Sequence, residues 1–151
     1  MINFSTLQDL TIPDGVVTKI TDASGMVLWS AEKPATITIS FTRSGNGSFG
    51  AIAAVIVDGV TYPAGENESA PPTEELIVPI GTIITCKVGG MHTSVVSNAK
   101  VTLNGTTVAS GNTEYLYTVV GDATIHSSMG ATYNPSAGGV VSYGIIDITE
   151  K

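Results

Sequence analysis

The sequence predicts an all-β chain, and three observations carry that prediction. Thr, Val and Ile supply 51 of the 151 residues, against only 6 Leu. β-Branched side chains fit a pleated strand and lose rotamer freedom in a helix. Charged residues make up 13%, about half the usual quarter, so the Lys, Glu and Arg that favour helices are scarce. Apolar residues recur with a period of two in short runs closed by Gly, Pro, Asn or Asp, the pattern of strands and turns. A hydrophobic content of 42% also excludes a disordered, solvating chain.

The first two strands are predicted upstream of Pro34. Val16-Val17-Thr18-Lys19-Ile20 and Met26-Val27-Leu28-Trp29-Ser30 are β-rich runs joined by Thr21-Asp22-Ala23-Ser24-Gly25, a turn-rich connection with a glycine available for positive φ. This reads as a small N-terminal β-hairpin. A two-stranded hairpin is marginal in water because it cannot bury its own apolar residues. Ile20, Met26, Leu28 and Trp29 are therefore predicted to form an assembly interface, against the following domain or another chain. The polar step Glu32-Lys33-Pro34 sets the boundary between an assembly segment, 1–33, and a domain, 34–151.

Within the domain, Thr36 to Thr42 alternates, with Ile37, Ile39 and Phe41 pointing inward. Ala51 to Val57 meets Val60-Thr61-Tyr62 across Asp58-Gly59, and Lys100 to Leu103 meets Thr106 to Val108 across Asn104-Gly105. Both are two-residue hairpin signals. Leu76 to Val78 and Ile83 to Val88 flank Pro79-Ile80-Gly81, and Tyr115 to Val120, Ala123 to His126 and Val140 to Thr149 complete the set. Pro63 to Thr73, polar, acidic and Pro-rich, reads as a surface loop. Seven to nine short strands at close intervals match a β-sandwich.

Charge and targeting signals narrow the function. Six basic residues against thirteen acidic ones give a net charge of −7. A lone arginine, Arg43, and five dispersed lysines offer little to neutralise phosphates, so nucleic acid is not an expected partner. No apolar run approaches the roughly 20 residues that span a bilayer, and the start lacks the basic region and apolar stretch of a secretion signal. The expected routes are retention in the cytosol, or departure by assembly into a particle and lysis.

No motif points to catalysis or to a cofactor. Gly45-Asn46-Gly47-Ser48-Phe49-Gly50 fits GxGxxG, but that pattern binds a dinucleotide only where a helix follows at once. Here an Ile- and Val-rich run reaches Asp58-Gly59 instead, so a glycine-rich loop between strands is expected. His92 and His126 have no nucleophile or metal-ligand spacing around them. Glu66, Glu68, Glu74 and Glu75 fit no calcium-loop scheme, and Pro71-Pro72 interrupts them; they read as a solvated acidic surface. Cys86 alternates with Ile84 and Val88 and reads as a small buried hydrophobe, since a reactive thiol needs a base and an electropositive site. Tyr115 and Tyr117 share a strand face with Val119 and are expected to pack. Asn46-Gly47-Ser48 and Asn104-Gly105-Thr106 match the glycosylation sequon, which has no meaning without a secretory route. The expectation is no enzyme, no cofactor and no metal.

The residues also carry a resemblance. Leu10-Thr11-Ile12-Pro13-Asp14-Gly15-Val16-Val17-Thr18-Lys19-Ile20-Thr21-Asp22-Ala23-Ser24-Gly25-Met26-Val27-Leu28-Trp29 resembles a module in virion proteins of tailed phages and prophages of Gram-positive gut bacteria. Val57 to Tyr62, Leu76 to Cys86, Val101 to Gly111 and Tyr117 to Ile125 resemble immunoglobulin-like domains that decorate such virions. Ser127 to Gly139 has no counterpart in that likeness. The resemblance implies an Ig-like antiparallel β-sandwich and a structural virion component, a capsid decoration or a tail-associated protein, made in the host cytoplasm. It implies a homo-oligomer, docking on the major capsid or a tail protein, and weak contact with host-surface or mucus glycans, and it carries no catalytic residues. The alternative from a different class is a carbohydrate-binding or adhesion module acting through the sandwich loops.

Overall fold

The structure, a computed structural model, describes residues 19–21, 27–30, 34–44, 51–62, 70–90, 96–134 and 139–151. The chain divides into two compact units, 1–33 and 34–151. In the first, β1 (Lys19–Thr21) pairs antiparallel with β2 (Val27–Ser30), placing Ile20 opposite Trp29, and the register slips between Ile20 and Thr21. The connection between them, with Met26, lies outside the described residues. So do the side chains of Ile20, Leu28 and Trp29.

The second unit has ten strands among the described residues: β3 (Ala35–Ser44), β4 (Ala51–Val57), β5 (Val60–Tyr62), β6 (Glu74–Val78), β7 (Ile83–Gly90), β8 (Val96–Leu103), β9 (Thr106–Ser110), β10 (Thr113–Thr118), β11 (Ala123–Asn134) and β12 (Gly139–Glu150). They form two sheets, one ordered β10-β7-β4-β5 and one ordered β6-β3-β11-β12-β8-β9. Between them lies a core in which period-two alternation puts every second side chain inside. Ile37, Ile39, Ile125, Ile146 and Ile148 from the larger sheet meet Val55, Ile84, Cys86 and Val88 from the smaller, all fully buried. Each such aliphatic side chain contributes about 1.5–3 kcal/mol relative to exposure. Phe41 is only partly buried at the rim of this core.

Both hairpins take the turn their residues demand. Asp58 and Gly59 have φ of 48° and 79°, and Asn104 and Gly105 have 50° and 81°. Two successive left-handed residues form the type I′ turn that matches strand twist, and Asx-Gly reaches it at least cost.

The all-β sandwich is as the sequence predicts, with two differences. β11 continues eight residues past His126 and pairs with β12 from Ala123↔Glu150 to Asn134↔Gly139. The sandwich is also not wholly antiparallel: β3 pairs parallel with β11, and β8 with β12, so the larger sheet is mixed. Parallel neighbours need long connections, and both pairs join strands far apart in the chain. Alternation fixes which side chains face inward but is silent on the direction of a distant partner.

The sheets approach closely where β12 crosses β4. A Cβ on Gly144 would run into the carbonyl oxygen of Ile52. Beside it, Ser127 Oγ donates to the carbonyl oxygen of Ala53 at 2.6 Å, a buried hydrogen bond between the two sheets. An inward serine is tolerated because the partner carbonyl is within reach.

Candidate functional site

The outward phase of the larger sheet is polar, and register sets its rows. One row runs Ser40, His126, Asp147, since His126 is the Cα partner of both others; Thr102 is the next member, opposite Asp147. A second row runs Ser44, Gly130, Tyr143, Asn98. Thr42, Ser128, Ile145 and Lys100 lie between these rows on the same register.

The first row brings together the residue types of a nucleophile–base–acid relay but not its geometry. His126 Nδ1 lies 2.8 Å from Ser40 Oγ, and Nε2 lies 3.0 Å from Thr42 Oγ1. With both ring nitrogens on hydroxyls, neither is left for Asp147, whose Oδ1 accepts from Thr102 Oγ1 at 2.6 Å. A relay needs one nitrogen turned to the nucleophile and the other to the acid. Hydroxyls donate or accept as required, so the row holds two separate hydrogen-bonded sets, Ser40–His126–Thr42 between β3 and β11 and Thr102–Asp147 between β8 and β12. Among the described residues, no group of three or more His, Cys, Asp or Glu is placed to hold a metal ion.

The second row is built around a missing side chain. Tyr143, on β12, reaches over β11 to β3, where its hydroxyl lies 2.6 Å from Ser44 Oγ. A Cβ on Gly130 would collide with that hydroxyl, with ring atom Cζ and with Ser44 Oγ. Neighbouring strands are about 4.8 Å apart, so a tyrosine that bridges two of these spacings must lie down along the sheet. Tyr143 is half-buried and Asn98, beside it, is exposed. Sequence analysis did not single out Tyr143. Its outward phase was legible, because Ile146 and Ile148 mark the inward one.

The residues considered from sequence fall in several places. Cys86 is fully buried between the sheets, and burial pushes its thiol up to about 12; it is inert packing. Tyr117 is buried with its hydroxyl donating to Glu150 Oε1 at 3.3 Å. Desolvation, then the Glu150 charge, pushes its phenol up to about 12. Tyr115 packs at the core margin, so neither tyrosine offers a free ring. Glu74 and Glu75 are exposed on β6, an edge strand, where charge discourages strand addition. Glu66, Glu68, His92 and the 45–50 loop lie outside the described residues; the run after that loop is strand β4 rather than a helix.

Two further features stand out. Arg43 lies 5.6 Å over the Phe41 ring, and its Nη1 donates to the carbonyl oxygens of Thr42 and Ser127, each at 2.9 Å. Desolvation lowers its pKa. Its Nη2 is buried and finds no partner among the described residues. On the outward phase of the smaller sheet, Ile83 and Leu116 are exposed beside a Lys87–Glu114 ion pair at 3.1 Å.

Comparison with known protein families, with curated proteins and with solved structures returned no match.

Proposed function

We propose that this chain is a non-enzymatic structural component of a tailed-phage particle, a capsid decoration or a tail-associated protein made in a bacterial host. In this reading residues 1–33 self-associate or dock onto another virion protein through Ile20, Met26, Leu28 and Trp29, and residues 34–151 are displayed on the particle. The observation that carries it is the division of the chain at Lys33/Pro34 into two compact units. In the smaller, β1 pairs with β2 among the described residues, and a two-stranded hairpin is marginal in water without a further surface to lie against. The larger closes its own core. The sequence pieces quoted above support the phage assignment; kinship with immunoglobulin-like decoration domains rests on those pieces and not on strand order.

The test is mass spectrometry of nuclease-treated, density-purified particles from an induced source culture. Peptides at tens or hundreds of copies per particle are expected, and the ratio to the major capsid protein separates decoration from tail. Absence from particles, with the protein free in the lysate, overturns the reading. Removing residues 1–33 is expected to abolish self-association or particle docking; a chain beginning at Pro34 that keeps both would overturn the role assigned to that segment.

A further inference from the structure

The chain contains two Asn-Gly pairs. Asn46-Gly47 lies outside the described residues, and Asn104-Gly105 forms the β8–β9 turn. Asparagine is a chemically labile side chain, and its weak point is intramolecular. The backbone nitrogen of the next residue, on losing its proton, attacks the side-chain carbon Cγ. A C–N bond forms, the Cγ–Nδ2 bond breaks, and ammonia leaves carrying the proton the nitrogen gave up. One water then opens the succinimide at either carbonyl, leaving an aspartyl or an isoaspartyl linkage. Nothing is oxidised or reduced, and water is the co-reactant. Glycine favours the attack because no Cβ crowds its nitrogen.

Gly105 presents that nucleophile in the open. It is exposed at the tip of the turn with φ of 81°, and a Cβ on it would meet nothing within 4 Å. Its N–H has no hydrogen-bond partner among the described residues. The electrophile is what the fold restrains. Asn104 Nδ2 donates to Glu150 Oε2, and Asn104 Oδ1 accepts from the Glu150 backbone N–H, each at 3.0 Å. Both ends of the carboxamide are thus held on β12, and Cγ cannot turn onto the Gly105 nitrogen until those bonds break. Glu150 is itself fixed from the other sheet, since its Oε1 accepts from the Tyr117 hydroxyl at 3.3 Å.

We propose that Asn104-Gly105 is a deamidation site latched by Glu150: the pair reacts only while the end of β12 is released from the turn, and the product cannot close the latch again. The irreversible half follows from hydrogen-bond chemistry and charge. A carboxamide gives Glu150 one donor and one acceptor, whereas the product carboxylate has acceptors alone. Its second oxygen would face Glu150 Oε2 with like charge. The isoaspartyl form also adds a main-chain carbon to a turn whose flanking pair, Leu103 and Thr106, is in register for two residues. The site therefore accumulates a chemical record of openings at the end of the last strand. It concerns the chain by itself and does not depend on the particle reading.

The test incubates the full chain at pH 8, folded and in concentrated urea, and follows Asn104 by peptide mass mapping. The folded chain is expected to react about tenfold more slowly than the unfolded one, the protection given by one charge-assisted hydrogen bond. Glu150→Ala, which removes the acceptor for Nδ2, is expected to raise the folded rate about fivefold. Glu150→Gln, which can still accept, should stay near the wild-type rate. Ser127→Ala weakens the sandwich away from the turn and should leave the rate unchanged, because the release is local. Asn104→Asp, which builds the product directly, is expected to lower the urea midpoint, and to lower it less in the Glu150→Ala background. Equal folded and unfolded rates at Asn104 overturn the proposal. So does a Glu150→Ala chain that reacts no faster than wild type, which would make the carboxylate a bystander or a helper of the attack. Equal acceleration by Ser127→Ala also overturns it, by placing control in global unfolding. An Asn104→Asp chain as stable as wild type overturns the irreversible half.

Discussion

The hydroxyl of Tyr143 lies 2.6 Å from Ser44 Oγ, joining β12 to β3 across the intervening β11. It can do so only because Gly130 on β11 has no side chain. An aromatic ring laid over a strand glycine restores contacts that the glycine forfeits. The same sheet carries a second close approach, at Gly144, whose obstacle is the backbone carbonyl of Ile52.

These two glycines predict different costs. In Gly130→Ala the new methyl meets the far end of Tyr143, a side chain able to lift away. Losing the Ser44 hydrogen bond is offset by reduced chain entropy in the unfolded state, so the net change is within about 1 kcal/mol. In Gly144→Ala the obstacle belongs to β4 and cannot move without separating the sheets, and about 3 kcal/mol of destabilisation is expected. Urea denaturation of both variants checks the order; a Gly130→Ala cost equal to or above that of Gly144→Ala would contradict it.

Ser127 gives the second prediction. Its hydroxyl is buried and donates across the sheets to the carbonyl oxygen of Ala53, the residue next to Ile52, whose carbonyl Gly144 approaches. Ser127→Ala removes the donor with almost no change of volume, so packing is preserved and the hydrogen bond alone is lost. The expected cost is about 1–2 kcal/mol, read from the urea midpoint at an unchanged slope.

The turn at Asn104 gives the third. Asn104 is left-handed, and its side chain bonds Glu150 twice: Nδ2 donates to Oε2 at 3.0 Å, and Oδ1 accepts from the Glu150 backbone N–H at 3.0 Å. The β8–β9 turn is thereby tied to the end of β12. Asn104→Ala loses both bonds and strains the turn, at about 1–2 kcal/mol in total. Asn104→Gly keeps the turn and loses only the bonds, so it should cost less, and the difference between the two measures the strain. Asp58→Ala, at the matching turn with no such tie among the described residues, should resemble the strain term alone.

Much of this architecture is readable from the chain itself. Asp58-Gly59 and Asn104-Gly105 announce their turns because few other pairs reach two left-handed residues cheaply. Ile37, Ile39, Ile84, Cys86 and Val88 announce their faces by alternation. The continuation of β11 was hidden for a physical reason. Its residues Ser127, Ser128 and Gly130 lack strand propensity, and the strand exists because β3 and β12 bond it from both sides. Ser127 also reverses the expected polarity of an inward position, which breaks the very signal that marks a strand. The parallel pairings were hidden because pairing direction is a property of two distant segments. The Tyr143 row was half-visible, since phase placed the tyrosine outside, while only the register of β3 against β11 put Ser44 and Gly130 beside it.

Alkaline pH should destabilise the fold, and the sign follows from two buried groups. Burial pushes the Cys86 thiol from 9.0 up to about 12, and the Tyr117 phenol is raised from 10.0 to about 12 by desolvation and the Glu150 charge. The folded chain therefore holds protons that the unfolded chain releases. Stability from this difference is fully present below pH 9, where both states are protonated. It declines as pH rises through the unfolded values toward about 12, because unfolding there releases protons and is drawn forward by their removal. The check is a series of urea titrations at pH 7, 9 and 10.5. The midpoint is expected to hold between the first two and fall at the third, and Cys86→Ala should flatten the decline while lowering stability at neutral pH through the lost packing. A midpoint unchanged from pH 7 to pH 10.5 would mean that neither group is protected by burial. Thiol labelling gives the independent reading: Cys86 should react with a disulfide reagent at pH 8 only as fast as the sandwich opens.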